Sequence, residues 1–350
     1  MRNFSLPLFM QVKRNAVGHL KENLQLYLPH LTNERFLILT TEGLLQTLAP
    51  KVKLLLTQLR SYQVLTVQSS SFDFAVQVAK QISTGGFCAV LGLGGGTALD
   101  TAKYAAYVAA VPYIAIPTTL SNDGVCSPVS VLFSEGGRKH SFTSKIPEGL
   151  LIDTDIILKA PRLLMEAGVG DILSNYTALF DWRLACRENG ERPNDFAYLL
   201  SEHAVSSLLH SSVKTFESIE GVKMLAEALV LGGLSMSIAG NSRPCSGSDH
   251  LFCHALDELY DHKLPHGIVV AIGTIGACIL QGRSYKSLLA FLKAYGIDIN
   301  PEHRGITREM FVRAWLYAPQ VRKERYTILN KTDIQPERFE KIYELMLKEC

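Results

Sequence analysis

Four of the ten histidines in the chain fall within residues 241–267, as His250, His254, His262 and His266. On a helix, His250 and His254 share a face. His266 follows a short hydrophilic turn, 260–265, and stands just before Gly267 and a new apolar run. A helix, a turn and a second helix start can bring His250 and His266 to one point. Two imidazoles suit zinc or ferrous iron, and a carboxylate would complete a three-ligand site with an open position. The bland alternative is a helix that carries solvated histidines. Cys245 and Cys253, in the same stretch, read as small buried hydrophobes.

The carboxylate that fits is Asp171, in Glu166-Ala-Gly-Val-Gly-Asp171. It follows a glycine and precedes a helical pattern, so an N-cap is its ordinary use. A cap also aims a carboxylate off the helix start, which suits a ligand. Asp171, His250 and His266 would make a mixed oxygen and nitrogen site, with the fourth position free for a substrate oxygen. His254, one turn beyond His250, could pass a proton between an alkoxide and solvent. Its other reading is a partner that orients a ligand.

A second constellation lies upstream. Gly94-Gly95-Gly96-Thr97 sits between a strand and a helix, with Asp100 and Lys103 sharing the next helix face. Glycines let backbone approach a phosphate, and the helix that follows turns its amide donors and positive end toward the anion. The spacing is neither the dinucleotide fingerprint nor the Walker loop. A tight turn is the alternative. After the next strand comes Pro117-Thr-Thr-Leu-Ser-Asn-Asp-Gly124. Hydroxyls of Thr118, Thr119 and Ser121 could bond a cofactor amide or ribose, and Asp123 could accept from a substrate hydroxyl. A capped turn accounts for Ser121 and Asn122 equally well. Ligands of open α/β sheets bind at this carboxyl edge.

These residues need a scaffold, and the patterning supplies one. Strand-like runs at 35–40, 63–67, 87–92 and 113–117 alternate with helical patterns at 44–60, 72–82 and 97–108. That alternation predicts an α/β unit with a doubly wound parallel sheet. Short strands are expected at 127–133, before a Gly136-Gly137 turn, and at 149–153. Beyond residue 158 only helical periodicity remains, at 171–187, 195–210, 221–239, 250–260, 267–281, 285–295, 308–317 and 336–348. The expected division is a nucleotide-binding α/β domain, 1–158, and a C-terminal all-helical domain for metal and substrate, 159–350. The junction falls at Lys159-Ala160-Pro161.

Composition narrows the function classes. A hydrophobic fraction of 47% with 19% charged residues fits a well-cored soluble protein. A net charge of +2 without a basic stripe argues against nucleic acid. The first residues carry no long apolar region, and no uncharged apolar run reaches the roughly 18 residues of a spanning helix, so no membrane insertion is expected. Seven cysteines without metal-type pairing fit reduced thiols in a cytoplasm.

In order along the chain, Gly94-Gly-Gly-Thr-x-x-Asp100-x-x-Lys103, Pro117-Thr-Thr-x-Ser-x-Asp-Gly124, Gly170-Asp171, Asp181-Trp182, Ser242-Arg-Pro-x-Ser-Gly247, His250 and His266-Gly267 form a specific set. The set resembles the glycerol-1-phosphate dehydrogenase family. That family stands with glycerol dehydrogenases, iron-containing alcohol dehydrogenases and, more distantly, dehydroquinate synthases. The resemblance implies NAD(P) as cofactor and a divalent metal, zinc first, with Fe2+ or Ni2+ as alternatives. It implies Asp171, His250 and His266 as metal ligands, and Gly94, Gly95 and Gly96, flanked by Thr97 and Asp100, at the cofactor phosphates. Thr118 and Ser121, with Thr119, would lie on the nicotinamide side and Asp123 on the substrate side. Arg243 becomes a candidate for a substrate phosphate, against a salt bridge within the helices; Lys145 is the next candidate.

The implied reaction interconverts dihydroxyacetone phosphate and sn-glycerol 1-phosphate by hydride transfer to or from nicotinamide. The expected partner is thus a small phosphorylated molecule, and a homo-oligomer is expected. Three positions depart from the family: Asp249 where Glu is frequent, Ile268 where Glu follows His-Gly, and Asn175 where the iron branch has a histidine. The last favours three protein ligands and zinc. Two rivals stay open. One is a dehydrogenase of another polyol or phosphorylated ketone. The other is a dehydroquinate synthase-like lyase, for which only Arg138, Lys145 and Arg243 are obvious basic residues.

Overall fold

The structure is a computed structural model, and it describes residues 4–134 and 137–350. Gly136, half of the expected Gly136-Gly137 turn, lies outside the described residues. The first half runs β1 (Phe9–Lys13), α1 (Leu20–Tyr27), β2 (Arg35–Thr41), α2 (Leu44–Thr47), α3 (Ala49–Leu56), β3 (Ser61–Val67), α4 (Phe72–Thr84), β4 (Ala89–Gly94), α5 (Gly96–Val108) and β5 (Tyr113–Pro117). It continues with β6 (Val129–Phe133), β7 (Lys139–Thr143) and β8 (Gly149–Asp153). Helices follow: α6 (Thr154–Ile157), α7 (Arg162–Leu173), α8 (Asn175–Asn189), α9 (Asp195–Leu209), α10 (Ile219–Ala239) and α11 (Ser248–Leu259). The last four are α12 (His266–Leu280), α13 (Lys286–Ala294), α14 (Arg308–Val321) and α15 (Pro336–Glu349).

Six strands form one parallel sheet in the order β1-β8-β5-β4-β2-β3. β4, β5 and β8 are buried at every position, which is why their sequences are unbroken apolar runs rather than alternating ones. From β2 the chain steps outward to β3, then returns to the other side of β2 for β4. The direction of winding therefore reverses between β2 and β4, the crevice where such sheets take ligands. Gly94 ends β4 directly opposite Pro117, the end of β5. The Thr118 amide donates to the Gly94 carbonyl at 2.9 Å, so the two loops leave the sheet edge side by side.

The strand expected at 127–133 forms as β6, but it pairs antiparallel with β7 in a separate ribbon. β1 and β7 escape sequence reading because their residues are mixed in polarity and only partly buried. One buried apolar cluster runs from Leu37 in β2 through Leu173 and Phe252 to Met346, joining sheet and helices. A second, with Leu20 and Leu55 against Ile38 and Ile114, fills the other face of the sheet. α10 is long and apolar enough to cross a membrane, yet 67% of its most apolar window is buried inside the protein.

Asp171 departs from expectation. It stands in the last turn of α7 rather than at a helix start, because the Gly168-Val-Gly170 segment is helical. Glycine weakens a helix by about 1 kcal/mol relative to alanine, so it needs a reason to be there. The reason is α12. A Cβ on Gly170 would stand 2.1 Å from the Gly267 carbonyl oxygen, and one on Gly267 would stand 1.8 Å from the Ala167 carbonyl oxygen. The two backbones are therefore in direct contact at the residues next to Asp171 and His266. Gly267→Ala is expected to lower unfolding stability by about 1–3 kcal/mol, since the new methyl meets backbone that cannot step aside. Denaturant titration checks this; unchanged stability would mean that the crossing relaxes freely.

Candidate metal and cofactor site

α11 begins at Ser248, whose amide donates to Asp181 Oδ2 on α8 at 2.7 Å. That anchor fixes the first turn of α11 and with it His250. His266 is the first residue of α12. His250 Nε2 lies 3.6 Å from Asp171 Oδ1, and His266 Nε2 lies 3.7 Å from the same oxygen. One donor atom from each residue lies within 4.8 Å of the other two. Ligands at zinc bond lengths on a tetrahedron are separated by about 3.4 Å, so the two contacts with Asp171 are within a few tenths of an ångström of that spacing.

The remaining atoms of the three residues are already held. His250 Nδ1 pairs with Asp249 Oδ1 at 2.6 Å. His266 Nδ1 faces Cys253 Sγ at 3.3 Å. Asp171 Oδ2 accepts from the Asp123 amide at 2.8 Å. Each residue thus turns its free donor atom toward the common centre, the pattern of oriented metal ligands. Asp249 is itself fixed by Thr177 Oγ1, 2.7 Å from its other oxygen. Asn175 donates to the Ser201 carbonyl at 3.4 Å and is not among the converging groups. Ile268 is fully buried in the core.

The charges agree with this arrangement. Burial opposes a charge on His250, but the Asp171 and Asp249 carboxylates outweigh it and hold the imidazole up at about 9. Burial, helped by the charge of His250, pushes His266 down to about 4. His250 must give up its proton to ligate, so metal uptake releases a proton and weakens as pH falls below about 9. Burial and then the Asp171 carboxylate raise Asp123 to about 8, so its carboxyl carries a proton at neutral pH. His254 lies with its ring 6.1 Å from that of His250 and 5.8 Å from that of His266. Burial first, then the Arg322 guanidinium, keep it well below the usual imidazole range, and so neutral.

The glycine loop lies at the carboxyl edge beside this cluster. A Cβ on Gly94 would meet the Ala98 Cβ at 2.8 Å, so the turn into α5 closes only on glycine. A Cβ on Gly96 would meet nothing within 4 Å. Gly96 and Thr97 are exposed at the start of the 13-residue α5, with its first amides directed into open space. Thr119 Oγ1 stands 3.4 Å from a Cβ position on Gly95, Thr118 is buried, and Ser121 is half-buried on the adjoining loop. A bare backbone cradle over a helix N-terminus fits a nucleotide pyrophosphate.

Three expected ligand contacts are engaged elsewhere. Asp100 pairs with Lys103 at 3.1 Å and accepts from the Val131 amide at 3.2 Å. Lys103 is fully buried and donates to the carbonyls of Gly124 and Val129 at 2.9 and 2.5 Å. The shared helix face is real, but it holds the β6–β7 ribbon rather than a phosphate. Lys145 donates to the Val111 carbonyl at 2.7 Å and to Glu148 at 2.6 Å. These partners sit at the amino end of β5, the opposite edge from the cluster. Arg243 is ion-paired with Glu191 and donates to the Tyr326 carbonyl at 2.7 Å, so its guanidinium is spent inside the protein. Sequence reading passed over Asp249 and Cys253 as orienters.

The family model of iron-containing alcohol dehydrogenases matches residues 11–161. A glycerol-1-phosphate dehydrogenase [NAD(P)+] of Thermofilum pendens is 35% identical over 334 residues, 94% of each chain. The chain belongs to the glycerol-1-phosphate dehydrogenase family. Another member, from Aeropyrum pernix, is 39% identical over 276 residues, 77% of each chain. In fold, this family member is similar to a glycerol dehydrogenase of Schizosaccharomyces pombe, with a TM-score of 0.78 at 22% identity over 100% of this chain and 91% of that one. The protein is an alcohol dehydrogenase-type enzyme that uses NAD(P).

Two outcomes are expected. Elemental analysis should find about one divalent ion per chain in the wild type and little in His266→Ala, while Asp249→Asn should weaken metal affinity by about 10–100-fold. Retained metal in His266→Ala would remove that residue from the ligand set. Gly96→Val should fold normally, because its side chain meets no protein atom, yet bind NAD(P)H much more weakly. Titration of nicotinamide fluorescence checks this, and unchanged affinity would place the pyrophosphate elsewhere.

Proposed function

We propose that this dehydrogenase interconverts dihydroxyacetone phosphate and sn-glycerol 1-phosphate with a divalent metal at Asp171, His250 and His266. The observation that carries the reading is the convergence of those three donor atoms beside the Gly94–Gly96 cradle, linked through the Asp123 amide to Asp171. The names of the relatives support the substrate. In this reading the α/β half, 1–158, holds the cofactor and the helical half, 159–350, holds metal and substrate. Zinc suits the oxygen and nitrogen donor set best, with Fe2+ or Ni2+ as alternatives. When bound, the ion supplies Lewis-acid stabilisation of charge on the reacting oxygen.

The chain's own residues do the rest. Gly94, Gly95 and Gly96, with the first amides of α5, bind the pyrophosphate. Thr118, Thr119 and Ser121 orient the nicotinamide end. When bound there, the nicotinamide would supply or take up the hydride exchanged with the substrate carbon. Asp123, whose amide is held by Asp171, hydrogen-bonds a substrate hydroxyl. His254, neutral and one turn from His250, accepts the hydroxyl proton on oxidation and returns it on reduction.

The discriminating measurement is NAD(P)H oxidation with dihydroxyacetone phosphate against dihydroxyacetone. Strong preference for the phosphorylated ketone is expected. Equal efficiency would favour a polyol dehydrogenase, and the absence of net nicotinamide turnover with either would favour a cyclising lyase.

A further inference from the structure

His266 presents its two ring nitrogens to two different groups of donors. Nε2 faces Asp171 and the cluster with His250. Nδ1 faces Cys253 Sγ at 3.3 Å. One donor atom each from Cys253, Asp257 and His266 lies within 4.8 Å of the other two, a second convergence of metal-ligating types. Cys253 and Asp257 are four apart on α11, so they share one face of that helix.

The donors differ in kind from those of the first cluster. A thiolate, a carboxylate and an imidazole suit a soft or borderline ion such as Zn2+ or Cd2+, whereas Asp171, His250 and His266 offer only oxygen and nitrogen. Cys253 is fully buried, and its polar contacts are with His266, at Nδ1 and, at 3.8 Å, at the carbonyl. Burial and the Asp257 carboxylate keep the thiol protonated until a metal takes the sulfur and the proton leaves to solvent. Asp257 is already ionised: burial opposes its charge, but His262 and Lys139 hold its carboxyl below the usual range. His262 Nε2 lies 3.0 Å from Asp257 Oδ1, and Lys139 Nζ lies 3.5 Å from Oδ2. His262 thus orients Asp257 as Asp249 orients His250. The His262 side chain is only 9% exposed, and among the described residues its Nδ1 has no hydrogen-bond partner. Lys139 is half-exposed, so its ammonium can turn to solvent when a cation arrives.

A neutral imidazole has one lone pair for a metal, and its other nitrogen keeps the proton. An ion on Nδ1 therefore leaves the proton on Nε2 and takes His266 out of the first cluster. We propose that Cys253, Asp257 and His266 Nδ1 form a second cation site for a thiophilic ion, which competes with the first site for the lone pair of His266 and so inhibits the enzyme. The inference rests on the reading of Asp171, His250 and His266 as metal ligands.

The test adds Cd2+ to the enzyme carrying its own ion. It reads the ultraviolet thiolate-to-metal band, the ions held per chain by elemental analysis after dialysis, and NAD(P)H oxidation. The band is expected to grow with about one Cd2+ per chain, while the original ion leaves and activity falls over the same Cd2+ range. Cys253→Ser should remove the band of this site and leave only the background of the partly exposed Cys88, Cys186 and Cys350. Asp257→Asn should raise the Cd2+ concentration needed for band and inhibition by about 10-fold or more, at least the loss that an orienting partner causes. Its position is partly exposed, so it carries the test should Cys253→Ser fail to fold. His250→Ala should keep the band, since His250 belongs only to the first cluster. A band unchanged in Cys253→Ser, or lost in His250→Ala, would overturn the site. Two ions held at once by an active chain would overturn the competition. A purified enzyme without an ion of its own that still shows the Cys253-dependent band would overturn the reading of the first cluster and leave the second site standing.

Discussion

The backbone contact between α7 and α12 is the constraint on which the rest depends. Helices that meet through side chains lie 8–10 Å apart between axes, and glycine at the crossing permits closer approach. Gly170 and Gly267 each face a carbonyl of the other helix. Because Asp171 and His266 are their immediate neighbours, the packing of two helices also sets the geometry of two of the proposed ligands. Side-chain flexibility could not do this as reliably, since each loose rotamer would have to be ordered at a cost in entropy. The third proposed ligand, His250, depends on a different anchor, the Asp181 carboxylate that accepts from the first amide of α11.

The two halves of the protein are joined at this same point. The loop after β5 gives its Asp123 amide to Asp171, so the sheet edge that carries the glycine loop is hydrogen-bonded to a converging carboxylate of the helical half. Lys103 reinforces the link from inside α5, with its ammonium buried among the carbonyls of residues 124–129. A buried lysine is expensive unless its charge is met by several acceptors. Here three carbonyls and Asp100 meet it, and the result is a rigid wall under the loop that holds Thr118, Ser121 and Asp123.

Charge is distributed so that most of it is spent and some is not. Asp249 and Asp171 hold His250, while Glu191 absorbs Arg243 and Glu148 absorbs Lys145. Some cations are met by carbonyls and rings instead: Arg283 donates to the Tyr176 carbonyl and lies over the Tyr176 ring. Protein interiors rarely leave charge unbalanced without a use.

The sequence by itself determined the fold class, the glycine loop and the three converging residues. Buried parallel strands must be apolar throughout, amphipathic helices must repeat at their own period, and histidines four apart must share a face. These are local rules that act through neighbours along the chain. Tertiary structure decided what local rules cannot reach. Gly168 and Gly170 look like helix breakers until the Leu120 carbonyl is laid against the first and α12 against the second. Asp100 and Lys103 share a face as their spacing requires, but only the position of β6 says what that face meets. Lys145 and Arg243 carry the right charge, yet their partners come from Glu148 beside the far edge of the sheet and from Glu191 beyond α8. Which cation is neutralised depends on which carboxylate packs beside it, and that is a property of the folded chain alone.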